Sequence, residues 1–512
     1  MISKVNSCAI SGIDGYIVTV EADMSNGIPS VDIVGLPDAA VKESKERVKA
    51  AVKNSGFSYP QKKIIINLAP AHTKKEGAYF DLPITIAILA SSMQLEADDL
   101  DDYVFIGELS LDGSLRSVNG VLAMTLAAKE HGVKNIIVPS DNAKEAAVAE
   151  GINVFGAKNL SEVANHLSGG EKLERVSIDI DSFFDGSADF DEDFADVKGQ
   201  AGAKRALEVA AAGGHNLIMI GAPGSGKTML AKRLVSILPA ITFSEALEVT
   251  KIYSIAGKLP PNTPIIKSRP FRSPHHTISP QAITGGGAVP KPGEISLAHR
   301  GVLFLDEFPE FRKETIDSLR QPLEDGYFTV GRVAGTFTFP SETMLIASMN
   351  PCKCGYYGDA TRKCTCLPGQ IQKYLSKISG PMLDRFDIHI EVPTVKYSEL
   401  ESTKKAESSK DIRERVNRAR NIQLERYKGK NIFSNASLSA KDLDVFCPLD
   451  DSCRTLLRNV FEKLGLSARA HSRIIKVART IADLDESENI KPCHIAEAIQ
   501  YRSLDKKFWF SQ

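Results

Sequence analysis

The sequence has no excess of charge of either sign and no long apolar run. Its 63 lysines and arginines nearly balance 64 aspartates and glutamates, which leaves a formal net charge of −1. Without a global field, any binding of nucleic acid must come from local basic patches. No apolar stretch reaches the roughly 18–20 residues that a membrane span requires, so we expect no membrane-spanning helix.

Cysteine is sparse, and the first residues show no secretory signal. The start, MISKVNSCAISGIDG, lacks a basic segment followed by an apolar one. Eight cysteines in 512 residues are too few for a disulfide scaffold. The chain is 43% hydrophobic and 25% charged, which is typical of a globular protein. These features predict a cytoplasmic protein of about three domains.

The pattern along the chain divides it into four regions. Residues 1–168 alternate short strands with helices and predict a complete α/β domain. Residues 169–195 are rich in aspartate and predict a linker, with an acidic peptide ligand for a basic groove as the alternative. Residues 196–395 predict a second α/β domain, and residues 396–512 predict a helical domain. The predicted elements of the first region are strands at Tyr16–Val20, Val31–Val34, Ile64–Leu68, Val104–Ile106, Asn135–Val138 and Ile152–Phe155, and a helix at Pro37–Asn54.

The motif most informative about function is a glycine-rich loop between a predicted strand and a predicted helix. It has the form G-x-x-x-x-G-K-[ST] and consists of Gly221, Ala222, Pro223, Gly224, Ser225, Gly226, Lys227 and Thr228. Glycines let the backbone N–H groups point at phosphate oxygens at the start of a helix. Lys227 is then predicted to neutralise the β- and γ-phosphates and Thr228 to bind Mg²⁺. A chance match in a glycine-rich turn is the alternative.

Two further predicted strands end in polar residues. The apolar run 302–305 ends in Asp306 and Glu307, although a single acid would suffice to reach solvent. Asp306 is predicted to hold the Mg²⁺ and Glu307 to polarise the attacking water, which is worth about 10²–10⁴ in rate. The strand Met344–Met349 ends in Asn350, whose amide is predicted to orient that water. The alternatives are that Asp306 and Glu307 are ordinary surface acids and that Asn350 is a turn residue.

Four of the eight cysteines lie within fifteen residues in the pattern C-x-C-x₉-C-x-C. They are Cys352, Cys354, Cys364 and Cys366. Four thiolates can close a tetrahedral Zn²⁺ site, so we predict a structural zinc, with free thiols and redox use as alternatives. The remaining cysteines are predicted simply to be packed, and they are Cys8, Cys447, Cys453 and Cys493.

The order of these motifs resembles the AAA+ superfamily, within it the magnesium-chelatase-like branch, and most closely the ComM (YifB) type. The resemblance covers essentially the whole chain and also includes the segments 196–200, 291–307, 380–387 and 466–469. It implies ATP with Mg²⁺, Lys227 and Thr228 as Walker A residues and Asn350 as sensor 1. Asp306 and Glu307 match Walker B.

The same resemblance implies an assembly. Arg385 matches the arginine finger, which acts on the nucleotide of a neighbouring subunit and is worth roughly 10³–10⁵ in rate in related NTPases. A homo-oligomeric ring, expected to be a hexamer, follows from that role. Arg469 matches sensor 2, although Arg473 is an alternative for contact with nucleotide. The alternative for Arg385 is an ion pair with Asp384 or Asp387 in the same chain. The alternative for Arg469 is a place on a solvated basic face of its helix.

Two segments between the motifs resemble inserts of this branch. Residues 283–295 resemble a helix-2 insert, and Tyr327–Phe339 predicts a β-hairpin that resembles a pre-sensor-1 hairpin. Such hairpins line the pore of related rings, so Lys291 and Arg332 are candidates for contact with a DNA backbone. Plain turn residues are equally compatible with both positions. The adjacent His275 and His276 are interpreted as structural, with a functional role as the alternative.

The first domain resembles the Lon-protease domain fold through residues 75–83 and 107–113. Tyr79 stands where Lon proteases have a nucleophilic serine, and Leu122 stands where they have a lysine. Without nucleophile or base, peptide hydrolysis lacks its chemistry. A non-proteolytic module is therefore predicted.

Taken together, the motifs predict an Mg²⁺-dependent AAA+ ring motor that hydrolyses ATP and remodels DNA by helicase activity or branch migration. The alternative is a chelatase-like or protein-remodelling ATPase that acts on a protein partner without nucleic acid.

Overall fold

The computed structural model describes most of the chain. The described residues are 2–97, 99–180, 190, 192–287, 289–332, 335–359, 362–395, 399, 406–430, 432–464, 467–504 and 508–509. Several residues of the acidic stretch on which the linker prediction rests lie outside this part of the chain, namely Asp181, Asp185, Asp189 and Asp191. Leu466 of the segment 466–469 lies outside it too.

The described strands follow in chain order. They are β1 (Ile2–Ser11), β2 (Asp14–Ser25), β3 (Ser30–Val34), β4 (Lys63–Ala69), β5 (Tyr103–Phe105), β6 (Glu108–Leu109), β7 (Leu115–Arg116), β8 (Asn135–Pro139), β9 (Asn153–Ala157), β10 (Arg175–Val176), β11 (Leu217–Ile220), β12 (Phe271–Arg272), β13 (Gly285–Gly286), β14 (Lys291–Pro292), β15 (Val302–Leu305), β16 (Tyr327–Arg332), β17 (Gly335–Pro340), β18 (Met344–Met349) and β19 (Ile388–Glu391).

The described α-helices are interspersed with these strands and dominate the last hundred residues. They are α1 (Ala39–Asn54), α2 (Asp81–Ser91), α3 (Val121–Glu130), α4 (Ala143–Ala146), α5 (Leu160–Leu167), α6 (Ala201–Gly213), α7 (Lys227–Ile237), α8 (Phe243–Ile255), α9 (Pro280–Thr284), α10 (Glu294–Leu297), α11 (Lys313–Ser318), α12 (Arg320–Asp325), α13 (Pro368–Leu375), α14 (Gly380–Leu383), α15 (Ser409–Arg426), α16 (Ala440–Phe446), α17 (Asp451–Leu464), α18 (Ala468–Leu484) and α19 (Pro492–Gln500).

The first sheet has the strand order β10-β9-β8-β5-β1-β2-β4-β3. All six predicted strands are present in it, with ends that differ by a few residues. Strand β1 is absent from the prediction because polar and apolar residues do not alternate regularly along it. Helix α1 begins two residues later than predicted, since Pro37 forms a bridge with Lys75 and the Asp38 side chain caps the first turn. Its buried residues include Val41, as predicted.

A short strand lies inside the segment that is predicted to be a linker. Arg175 and Val176 pair antiparallel with Phe155 and Val154 at the edge of the first sheet. Val176 is partly buried against the hydrophobic core of this region. Two residues carry too little periodicity to reveal a strand in the sequence, so this element could not be predicted.

The second sheet is parallel and has the strand order β12-β15-β18-β11-β19. All residues of β11, β15 and β18 are buried. Burial on both faces explains why these strands are uninterrupted apolar runs in the sequence. Since all strands run the same way, the residues that follow β11, β15 and β18 meet at one edge of the sheet.

Helices cover one face of the second sheet and form the largest core. Helix α18 starts after the cap residue Ser467, whose Oγ accepts a hydrogen bond of 3.2 Å from the Ala470 N–H. Apolar residues recur at helical spacing along α18, and this face is buried in the core; it comprises Ile474, Val477, Ala478 and Ile481. Helix α19 begins at Pro492, a residue type that suits the first turn of a helix.

Helix α8, which precedes β12 in the chain, packs against the first region. It packs against α3, and Ala246 and Val249 join the core that contains Ala128. Lys251 also forms an ion pair of 2.5 Å with Asp14, the first residue of β2. Among the described residues, no helix combines the length and apolarity needed to cross a membrane.

The scattered cysteines are packed with one exception. Cys8, Cys447 and Cys453 are buried, but Cys493 is exposed, so its predicted packing is wrong. Cys493 is the second residue of α19, and the residues that this helix buries are His494, Ile495 and Ala498.

Candidate nucleotide site at the edge of the parallel sheet

The glycine-rich loop joins β11 to α7 and has a left-handed backbone at two of its glycines. Gly224 and Gly226 have φ values of 76° and 87°, which side chains with a Cβ adopt only with strain. At Gly221 a Cβ would lie 2.4 Å from the carbonyl oxygen of Val392, so that position has no room for a side chain. The loop therefore needs its glycines, and it delivers the first N–H groups of α7 to its concave side.

Lys227 lies buried beneath this loop. Its Nζ donates to the carbonyl oxygens of Gly221 and Ala222 at 2.8 and 2.9 Å and to Asn350 Oδ1 at 3.3 Å. Burial lowers the pKa of Lys227, while Asp306 acts in the opposite direction. All three hydrogen-bond partners are neutral, so a phosphate would supply the close counter-charge that this ammonium lacks.

Asp306 connects the loop to the neighbouring strands. Its Oδ2 accepts a hydrogen bond of 2.7 Å from Thr228 Oγ1, and its Oδ1 accepts from the Glu307 N–H at 3.0 Å and from the Ser348 hydroxyl. A hydroxyl and a carboxylate in contact are the oxygen ligands that Mg²⁺ takes beside nucleotide phosphates. Ser348 is missing from the predicted site, and its only signal is a hydroxyl within an otherwise apolar strand.

The loop also contains a buried hydroxyl, that of Ser225. This hydroxyl has no hydrogen-bond partner in the part of the chain that the structure describes. Buried polar groups are normally paired, so this hydroxyl fits a site whose ligand would complete it. The donor set of Lys227, Thr228 and Ser225 with the acceptor Asp306 suits a metal-bound polyphosphate.

Glu307 adopts an uncommon backbone conformation at the end of β15. Its φ is 51° and its ψ is 45°, which is left-handed, and its side chain is 61% exposed. Non-glycine residues in this region are rare and concentrate at functional sites. The ring nitrogen Nδ1 of His276 lies 3.7 Å from the Oε2 of Glu307. The sequence alone did not assign His276 to the site.

Asn350 ties its strand to the loop. The Asn350 side chain accepts a hydrogen bond from Lys227. The carbonyl oxygen of the preceding residue, Met349, accepts another of 3.2 Å from the Gly221 N–H. The residues predicted for phosphate, Mg²⁺ and water thus meet at one sheet edge, and these are Lys227, Thr228, Asp306, Glu307 and Asn350.

The predicted arginines do not reach this edge. The guanidinium of Arg385 pairs with Glu324, and not with Asp384 or Asp387 as the sequence alternatives had it. Arg469 lies 3.5 Å from Asp384, and Arg473 lies 3.1 Å from Asp387. The three arginines line a cavity of about 940 Å³ that also contains Asn216, Gly301 and Met344, at the opposite ends of the strands.

Arg473 is mostly buried, whereas a solvated basic face of α18 would leave it exposed. Only 14% of its side chain is exposed, whereas Arg469 is 59% exposed. The basic face of α18 therefore packs partly against the segment 384–387.

The four clustered cysteines come together without forming disulfide bonds. The Sγ distances are 3.3 Å for Cys352–Cys354, 3.7 Å for Cys352–Cys364 and 3.6 Å for Cys354–Cys364. All four sulfurs, including that of Cys366, lie within 4.8 Å of one another. A tetrahedral site with Zn–S bonds of about 2.3 Å requires sulfurs roughly 3.8 Å apart, so the group is compatible with a structural metal.

The cysteine segment also touches the glycine-rich loop. A Cβ at Gly355 would lie 2.4 Å from Pro223 Cδ, and Gly355 has a φ of 87°. Cys352 is buried and follows Asn350 by two residues. The segment that carries the cysteines therefore packs against the loop and continues directly from the strand end at Asn350.

Two short hairpins carry the cations that were predicted to touch DNA. Strands β13 and β14 pair in one hairpin, and β16 and β17 pair in the other. The Nε of Arg332 donates to the carbonyl oxygen of Gly287 at 3.2 Å, which joins the two hairpins. Lys291 and Arg332 are both exposed.

In the first sheet region, the positions compared with the Lon dyad are occupied by packed side chains. Leu122 is fully buried in a hydrophobic cluster, and Tyr79 packs against that cluster. The nearby Lys75 is also buried, and its Nζ donates to the carbonyl oxygens of Thr73, at 2.8 Å, and Pro70.

The comparisons with known proteins agree with this architecture. Three family profiles match, namely magnesium chelatase, subunit ChlI, over residues 193–400, subunit ChlI of Mg-chelatase over residues 20–142, and magnesium chelatase, subunit ChlI C-terminal, over residues 406–502. Together with the loop and the parallel sheet, these matches define a magnesium-chelatase-like protein with a P-loop AAA+ fold.

Several relatives match over nearly their whole length. Competence protein ComM of Haemophilus influenzae is 45% identical over 503 residues, which are 98% of this chain and 97% of that protein. The protein YifB of Escherichia coli is 44% identical over 506 residues, 99% of this chain and 98% of that one. The chain therefore belongs to the ComM family of magnesium-chelatase-like proteins.

A more distant likeness concerns part of the chain. The Lon protease of Finegoldia magna is 21% identical over 178 residues, which are 32% of this chain and 23% of that protein. Together with membership of the magnesium-chelatase-like family, this likeness suggests an ATPase.

Proposed function

We propose that this protein is an Mg²⁺-dependent ATPase that works in the cytoplasm as a ring motor and binds and remodels DNA. The observation that carries the proposal is the contact of the loop with the strand ends, in which Thr228 meets Asp306 at 2.7 Å and Lys227 meets Asn350 at 3.3 Å. ATP would be held by the loop 221–228. Mg²⁺, when bound by Thr228 and Asp306, supplies charge neutralisation for the phosphates.

Each side chain at the sheet edge has one role in this proposal. Lys227 binds the β- and γ-phosphates, Glu307 takes the proton of the attacking water, and Asn350 orients that water without changing charge. Glu307 suits its role because its carboxylate is exposed at the same edge of the sheet.

The distance of the arginines from the loop supports an assembly. Arg385 and Arg469 lie at the opposite strand ends, so neither serves the nucleotide of its own chain in the described arrangement. We propose that the ring is a hexamer. In it, Arg385 would leave Glu324 and stabilise charge on the nucleotide of the next subunit. Arg469 would act as sensor 2 of the same interface, with Arg473 as its neighbour.

We propose the following division of the chain. Residues 1–168 form a Lon-protease-like, non-proteolytic domain, 169–195 an acidic linker, 196–395 the AAA+ core and 396–512 a helical lid. The segments 283–295 and Tyr327–Phe339 are the helix-2 and pre-sensor-1 inserts. The absence of serine and lysine at Tyr79 and Leu122 supports the loss of protease chemistry.

DNA binding rests on exposed cations of the two inserts. Lys291 and Arg332 extend from hairpins that contact each other, and neither has an ion pair among the residues that the structure describes. Repeated around a ring, these cations would track a phosphate backbone without reading sequence.

The cysteine group is proposed to hold structural Zn²⁺. Four thiolates would close the site, and the metal would fix the segment 352–366 against Pro223 and next to Asn350. The zinc supplies no step of hydrolysis in this arrangement.

A second candidate is supported by the matches to magnesium chelatase subunit ChlI. It is an ATPase that remodels a protein partner without nucleic acid. The deciding experiment measures ATP hydrolysis by the purified protein with and without single-stranded, duplex and branched DNA. Stimulation that weakens with salt supports the DNA motor, whereas hydrolysis that none of these DNAs changes favours the second candidate.

A further inference from the structure

A histidine that follows the neighbouring strand lies beside the proposed base. Strand β12 is the edge strand next to β15, and the two are parallel. The segment after β12 therefore leaves the sheet at the same edge as Glu307. There His276 Nδ1 lies 3.7 Å from Glu307 Oε2.

The ring of His276 is held by aromatic neighbours. Its centroid lies 4.1 Å from that of His275 and 6.4 Å from that of Phe311, which it meets edge-on at 75°. Phe311 is buried and follows Glu307 by four residues, after a single 3₁₀ turn. The ring is thus packed against the same turn that carries the Glu307 carboxylate.

Glu307 has little else to fix its side chain. Its carboxylate forms no further ion pair within the part of the chain covered by the structure. An exposed glutamate samples several rotamers, and a base in hydrolysis must point at one water. A fixed polar ring that contacts the carboxylate reduces that freedom.

We propose that His276 is a positioning residue for Glu307. Its ring nitrogen orients the carboxylate that takes the proton of the water. This inference rests on the proposed function, because it requires Glu307 to be the base.

The test compares two neighbouring histidines. His276→Phe keeps the ring but removes the nitrogen, so kcat for ATP is expected to fall about tenfold, part of the 10²–10⁴ that a general base contributes. KM and nucleotide affinity should stay unchanged, and His276→Gln, which restores a polar group, should recover most of the rate. His275→Phe is the matched control, since His275 Nδ1 faces Thr277 Oγ1 at 2.9 Å.

The outcomes separate this inference from the proposed function. If the wild-type protein hydrolyses ATP and Glu307→Gln does not, an unchanged or raised kcat in His276→Phe overturns the positioning role. An equal loss in His275→Phe, or a loss of nucleotide binding, overturns it too, because either effect is structural. Should His276→Phe not fold, His276→Ala gives the same comparison. A wild-type protein without ATPase activity refutes the proposed function itself.

Discussion

Thr228 and Asp306 are 78 residues apart in the sequence, yet the Thr228 hydroxyl donates a 2.7 Å hydrogen bond to the Asp306 carboxylate. The bond joins the start of α7, the helix after β11, to the residue that follows β15. In the sheet, β18 lies between β11 and β15. A metal ion bound by both side chains would therefore lie between the loop and the strand that carries Glu307. The predictions below follow from that arrangement.

Glu307→Gln is expected to bind ATP normally and to hydrolyse it about 10²–10⁴ times more slowly. The amide keeps the shape of the side chain but cannot take a proton. Phosphate release measures hydrolysis, and a fluorescent ATP analogue measures binding. Glu310→Gln is the control, because Glu310 is exposed and pairs with Lys377. Normal turnover in Glu307→Gln would assign the base to another group.

Arg385→Ala and Lys227→Ala are each expected to be nearly inactive alone but to regain activity when mixed. In a mixed ring, some intact loops face an intact Arg385 of the neighbouring subunit. Arg385→Ala alone should lose roughly 10³-fold or more in kcat. Arg458→Ala, at an exposed arginine elsewhere, should be neutral. An Arg385→Ala protein that retains activity, or mixtures that never recover, would contradict a role between subunits.

Gly355→Ala is expected to slow ATP hydrolysis although it lies outside the glycine-rich loop. The added Cβ would meet Pro223 at 2.4 Å and push against that loop. Gly429→Ala is the matched control, because Gly429 has a similar φ of 81° and open space around it. Both variants should lose about 1 kcal/mol of stability from backbone strain, but only Gly355→Ala should lose kcat. Equal rates in the two variants would argue against contact between the cysteine segment and the active site.

The double variant Cys352→Ser and Cys364→Ser is expected to lose bound zinc and to melt at a lower temperature. The wild-type protein should contain one zinc per chain by elemental analysis, since four thiolates fill one tetrahedral site. Cys493→Ser, at the exposed cysteine outside the group, should retain the metal. Wild-type protein with far less than one zinc per chain would leave the four residues as free thiols.

Removal of Lys291 and Arg332 together is expected to weaken DNA binding and DNA-stimulated hydrolysis but to leave basal hydrolysis intact. Each lost phosphate contact should reduce the salt dependence of binding by roughly one counter-ion. Lys42→Ala, at an exposed lysine of α1, serves as the control. Unchanged affinity and salt slope in the double variant would exclude these hairpins from the DNA path.

The parts of the fold that were predictable from the sequence are those with local signals. The strands that flank the glycine-rich loop were predictable because burial on both faces makes them continuous apolar runs. Because these strands are parallel in the structure, the residues that follow them, Asp306 and Asn350, lie at one edge of the sheet. The apolar face of α18 was predictable from its helical period.

The remaining features depend on contacts between distant segments. The approach of His276 to Glu307 requires β12 to lie next to β15, and nothing in either segment specifies that order. The pair of Arg385 with Glu324 likewise follows from tertiary packing, since Asp384 and Asp387 were nearer in sequence. Ser348 was missed because a single hydroxyl in a strand resembles a packed small residue.

The measurement that tests the central claim most directly is Mg²⁺-dependent ATP binding by the purified wild-type protein beside Lys227→Ala, with Lys232→Ala as a control at an exposed lysine of the same helix. We expect saturable binding in the wild type and in Lys232→Ala and none in Lys227→Ala. Absence of binding in the wild type, or equal binding in all three proteins, would contradict the assignment of a triphosphate to the loop 221–228.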